Sequence, residues 1–193
     1  MATHRNPLWA ELVQLVPVIS LAFPFIVAGK VDLGRAAPGF LFGALLAVPI
    51  TAAVLWRRRL LNPILIGTNA WLWLGVAAFY LPVAALKTWL IDTRAFGLFL
   101  LALVAGIVTT FASPTGYIAC PSSDPRWTRK ASLGLLGLTL VIVLWAWRFR
   151  YDIRLGGGLP FIVLNVARRV IGRRAPASIV PSPAPPPPGG ITT

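Results

Sequence analysis

Residues 36–59 read AAPGFLFGALLAVPITAAVLWRRR, twenty-one uncharged and mostly apolar residues closed by three arginines. A hydrocarbon core of about 30 Å takes about 20 helical residues to cross. Backbone in lipid must pair its polar groups within its own segment, so this stretch reads as a membrane-spanning helix. Pro38 falls near its first turn, where the missing N–H costs little, whereas Pro49 frees a carbonyl deeper in the span and marks a bend. Arg57, Arg58 and Arg59 form a cytoplasmic stop of the kind set by the positive-inside rule.

Working outward, the same pattern recurs. A first run covers 8–28, with Pro17 and Pro24 inside it and Gly29 and Lys30 behind it. It carries Glu11 and Gln14 and lacks a small-residue cleavage site, so it is expected to stay as a helix and not to be removed as a signal. A third run, 61–86, is longer than a span requires, and Pro82 is expected to bend it or to lay its end along the interface with Lys87 and Trp89. A fourth covers 95–112 and stops at Ser113 and Pro114, and a fifth covers 131–147. The sixth, 155–170, begins in Gly156, Gly157, Gly158 and Pro160 and ends in Arg168 and Arg169, and has two readings. It is either a span or an amphipathic helix lying in the interface.

Composition agrees with a membrane environment. Of 193 residues 57% are hydrophobic and 12% charged, about half the charged share of an ordinary soluble domain. The 18 Lys and Arg against 5 Asp and Glu lie in short clusters between apolar runs, which argues for topology signals and anionic lipid head groups and against nucleic acid. Trp9, Trp56, Trp89, Trp127, Trp145 and Trp147 stand near run ends, as an interfacial aromatic belt requires. The expected fold is therefore all-α: a polytopic transmembrane bundle of about six short spans, with five spans and an interfacial helix as the alternative. Residues 1–174 form this domain. Residues 175–193, with Pro181, Pro183 and four prolines at 185–188, form an extended proline-rich tail.

With six spans, eleven of the 18 Lys and Arg share the side of both termini, which places the termini in the cytoplasm. With five spans the balance reverses and the molecule flips.

Chemistry is sparse. An ionisable group inside a span persists only for a reason, and here only Glu11 comes near one; Asp32, Asp92, Asp124 and Asp152 all lie beside Lys or Arg in connections. His4 is the sole histidine and sits in the N-terminal arm, so no histidine-ligated pigment or metal is expected in the membrane. The single Cys120 permits no intramolecular disulfide and reads as packing. No nucleophile–base spacing and no phosphate loop stands out, so no catalytic residue, metal or cofactor is assigned and the chain is expected not to be an enzyme.

What remains is amide and hydroxyl chemistry. Asn62, Thr68 and Asn69 of the third run, Thr109 and Thr110 of the fourth, and Asn165 of the sixth are the candidates for a polar cavity or for hydrogen bonds across helices. Gly39, Gly43 and Ala47, and Ala102 and Gly106, form small-residue faces suited to helix packing. Trp71 and Trp73, two residues apart, point to different faces of their helix.

The strings Asn62-Pro63 through Gly67-Thr68-Asn69, Thr109-Thr110-Phe111-Ala112-Ser113-Pro114-Thr115-Gly116, and Leu159-Pro160-Phe161 resemble those of small bacterial inner-membrane proteins related to the intracellular septation protein A group. The resemblance covers about 8–174 and omits the tail. It implies a multi-pass inner-membrane protein linked to envelope or division processes, with no reaction and no catalytic residue to carry over. The leading expectation is a noncatalytic accessory or structural subunit packed against other membrane proteins. A small transporter or lipid-handling protein is the alternative.

Overall fold

Asn62 and Pro63 show how this chain starts a helix. The Asn62 side chain accepts a hydrogen bond from the Ile64 N–H at 3.1 Å, and Pro63 occupies the first helical position, where its missing N–H would have had no partner. Asp124 and Pro125 repeat the device, with the Asp124 carboxylate accepting from the Arg126 N–H at 2.8 Å.

The computed structural model describes residues 33–56, 62–120, 122–152 and 154–176. Among them are six α-helices: α1 Leu33–Trp56, α2 Pro63–Tyr80, α3 Ala84–Thr93, α4 Ala95–Ala112, α5 Pro125–Arg148 and α6 Leu159–Arg173. A π-helical turn, Arg154–Gly158, leads into α6. Five segments are long and apolar enough to cross a membrane: Ala36–Val54, Pro63–Tyr80, Ala95–Ala112, Pro125–Arg148 and Arg154–Arg173. The protein is thus an all-helical, multi-pass membrane protein. The run at 8–28 and residues 177–193 of the tail lie outside the described residues.

Two boundaries differ from the reading of the sequence. The run 61–86 is not one helix. Pro82 drives Leu81 into an extended conformation (φ −101°, ψ 151°), α2 ends at Tyr80, and the remainder becomes the separate, largely exposed α3 with Lys87 and Trp89 on it. The run 131–147 is the inner part of a longer helix, because the Asp124–Pro125 start takes Arg126, Arg129 and Lys130 out of the connection and into the first turns of α5. Of the glycines at 156–158, the first two are packed: a Cβ on Gly156 would collide with the Phe149 carbonyl oxygen, and one on Gly157 would lie 3.2 Å from the Ala95 Cβ, while Gly158 is exposed.

The helices pack in the order α1, α2, α4, α5, α6, with α3 lying against α2 and α4. Helices α2 and α4 approach closely, and a Cβ on Gly67 would stand 2.5 Å from both the Cα and the N of Ala102. Lipid tails are as apolar as leucine, so this association relies on close van der Waals contact, which a glycine facing backbone permits. On α1, Gly39 and Gly43 are buried and Ala47 is 2% exposed; on α4, Ala102 and Gly106 are buried. Phe40 of α1 sits against Gly75, edge-on to Trp71 and stacked on Phe79. Trp71 also meets Trp89 of α3, while Trp73 faces outward.

Candidate functional site

Helix α2 carries three of the polar residues singled out in the sequence, and each meets a different partner. Asn62 is buried at its N-terminus and its Nδ2 lies 3.5 Å from Asn165 Oδ1 on α6, so these two amides meet across 103 residues of chain. The assignment is self-consistent: Asn62 Oδ1 is occupied by the Ile64 N–H, and Asn165 Nδ2 donates to the Phe161 carbonyl at 2.9 Å. Thr68 is fully buried and its hydroxyl donates to the Ile64 carbonyl of its own helix at 2.9 Å. Asn69 turns the other way and donates to Thr51 Oγ1 of α1 at 3.1 Å.

Thr109 and Thr110 also bond within their helix, to the carbonyls of Ala105 at 2.8 Å and Gly106 at 2.7 Å. The six residues therefore do not line one common cavity. Asn62 pairs with Asn165, and Asn69 borders a separate open groove of about 360 Å³ between α1 and α2, lined by Ala47, Val48, Thr51, Ala52 and Trp73 as well.

Replacing Asn62 by Ala removes the α2 cap and leaves Asn165 Oδ1 without its donor. The expected loss is about 1–2 kcal/mol of stability, with Asn62→Asp retaining the capping part; thermal unfolding in detergent measures both.

The polar centre that the sequence reading missed is the connection 113–120. It folds back between the helices, with Tyr117 0% and Ile118 1% exposed. Gly116 adopts φ +60°, a left-handed conformation suited to glycine, and a Cβ there would collide with Ser132 Oγ. Ser132 Oγ accepts from the Tyr117 N–H at 3.0 Å, and the Tyr117 hydroxyl lies 3.2 Å from Thr139 Oγ1, which itself donates to the Leu135 carbonyl. The ring fills the space over Gly106. Burial pushes the Tyr117 phenol up to about 12, against smaller lowering effects of Thr139 and Arg168.

Helix α6 closes over this connection, where Arg168 Nη1 donates to the Ile118 carbonyl at 3.4 Å and Cys120 Sγ donates to the Gly172 carbonyl at 3.7 Å. A signal was available: Thr128, Ser132, Leu135, Thr139 and Ile142 recur at steps of four and three along α5, and all are buried. A polar stripe on a buried helix face calls for a polar partner, which here is the Gly116–Tyr117 backbone and the phenol.

Among the described residues, no three of His, Cys, Asp or Glu stand together as a metal site would require. The groups that do converge are amides, hydroxyls and one phenol, each bonded to another helix or to its own backbone. No protein family, no curated protein and no solved structure matches this chain.

Proposed function

We propose that this multi-pass helical membrane protein is a noncatalytic accessory or structural subunit of a larger membrane protein complex. The observation that supports this reading is how the interior polar groups are used. Asn62, Asn165, Tyr117, Ser132 and Thr139 hold helices and a connection in register, as a packing unit requires, while the buried Thr68 hydroxyl is satisfied within its own helix. The outward faces of α4, α5 and α6 carry large apolar side chains, including Val108, Phe111, Val141, Leu144 and Ile162, available to lipid and to neighbouring helices alike. The alternative, a small transporter or lipid-handling protein, draws on the open groove beside Asn69 and Thr51.

The same proposal places the protein in a bacterial inner membrane, in keeping with its resemblance to the septation-related group, with both termini in the cytoplasm. Arg126, Arg129 and Lys130 are exposed at the start of α5, and Arg173 and Arg174 are exposed at the end of its neighbour α6. This concentration of charge suits the cytoplasmic surface and its anionic head groups.

Mild-detergent purification of the tagged full chain from its native membrane, with native sizing and mass spectrometry, tests the subunit reading. Stoichiometric recovery with a defined set of membrane proteins is expected. Recovery alone, as monomer or homo-oligomer, would overturn the reading in favour of transport or lipid handling around Asn69.

A further inference from the structure

The opposite end of the bundle holds a second group of arginines, arranged around rings. Arg94 joins α3 to α4 in a conformation (φ 48°, ψ −133°) that side-chain-bearing residues rarely adopt. Glycine would suit that backbone better. What the arginine adds is a guanidinium over the Tyr151 ring, 4.9 Å from its centroid. From the far end of α5, the Arg150 guanidinium approaches the same ring at 5.0 Å and the Trp147 ring at 4.3 Å, and its Nη2 donates to the Tyr151 hydroxyl at 3.1 Å.

Phe96 of α4 meets Trp147 edge-on at 5.0 Å, and Gly157 packs on Ala95, so the platform is braced from two helices. Both guanidiniums therefore lie within about 10 Å of each other, at the level where α4 begins and α5 ends. One oxygen of the neighbouring Asp152 carboxylate, Oδ1, accepts from the backbone N–H groups of Arg154 at 2.8 Å and Leu155 at 3.0 Å.

From this arrangement we infer that Arg94 and Arg150, held on Tyr151 and Trp147, form a binding site for the phosphodiester of an anionic phospholipid. Contact over a ring face leaves a guanidinium its N–H donors, and these match phosphate oxygens two at a time. Two like charges gathered on one ring raise the local positive potential, which an anion beside them relieves. If α4 spans the bilayer from Ala95 onward, the head-group layer falls beside Arg94 and the acyl chains run along the apolar residues that follow. The site rests on the membrane reading and is independent of any partner complex.

The test uses the full purified chain in detergent, with native mass spectrometry of phosphatidylglycerol titrated against it, and phosphatidylcholine and inorganic phosphate as comparison probes. The double variant Arg94→Gln, Arg150→Gln is expected to bind phosphatidylglycerol about tenfold more weakly. Arg94→Lys with Arg150→Lys, which keeps the charge but not the planar fork, is expected to recover only part of that loss. Unchanged binding in the Gln variant would overturn the site, and full recovery in the Lys variant would reduce it to surface charge. Equal affinity for phosphatidylcholine would overturn the selectivity for an anionic lipid. Displacement by millimolar inorganic phosphate would show a free-anion site and overturn the lipid assignment. Circular dichroism and melting curves matching wild type establish that each variant is folded.

Discussion

Gly67→Leu is expected to leave no stably folded protein, and Gly67→Ala to lose about 1–3 kcal/mol. The added Cβ meets the Cα and N of Ala102 and, at 2.8 Å, the carbonyl carbon of Leu101, so what resists it is helix α4 itself and no side chain can rotate away. Relief requires α2 and α4 to separate, which loosens the packing around Thr68, Leu72, Phe99 and Ala102, all within 1% of full burial. A second substitution makes the argument specific. Ala102→Gly removes a methyl group but leaves the Cα and N in place, so it is expected not to rescue Gly67→Ala. Unfolding in mixed detergent micelles, followed by circular dichroism, reads both. Rescue would show that the contact is between side chains and that the helices are farther apart than described.

Tyr117→Ala is expected to destabilise the protein by about 3–5 kcal/mol, the range for emptying a large aromatic site. The ring is fully buried, sits over Gly106 within 2.9 Å of a Cβ built there, and anchors the connection between α4 and α5. Tyr117→Phe keeps the volume and loses only the contact to Thr139, whose hydroxyl retains the Leu135 carbonyl, so the expected cost is about 1 kcal/mol. The difference between the two substitutions separates packing from hydrogen bonding. The phenol also gives a pH signature. Its folded-state pKa of about 12 lies above the ordinary 10.0, so its contribution to stability is fully present below pH 10.0 and is lost as pH rises through about 12. The ultraviolet phenolate signal that disappears in Tyr117→Phe is expected to have titrated near that upper value. A signal appearing with the first phenols to ionise would place the ring in water.

Much of this architecture is legible in the chain itself. Runs of about 20 apolar residues closed by arginines and prolines can satisfy their backbone in lipid only as helices, which is why the spans at 36–56 and 95–112 were readable from composition and length. The local start signals at Asn62–Pro63 and Asp124–Pro125 are equally sequence-borne, because a cap needs only its own next turn. The same local logic applied to Pro82, which separates α2 from α3 where hydropathy alone runs on.

Tertiary structure decided which polar groups meet. Asn62 and Asn69 are seven residues apart, on nearly the same side of α2 but about 10 Å apart along it, yet one pairs with α6 and the other with α1, since the packing decides which neighbour passes each level. Periodicity can mark a buried stripe such as Thr128, Ser132 and Thr139, but it cannot say that residues 113–120 turn back to fill it. That outcome depends on a left-handed Gly116 and on a ring-sized space over Gly106, both made by neighbouring helices. The gathering of Arg94, Arg150 and Tyr151 belongs to the same class, because it joins the ends of two helices whose proximity only the fold creates.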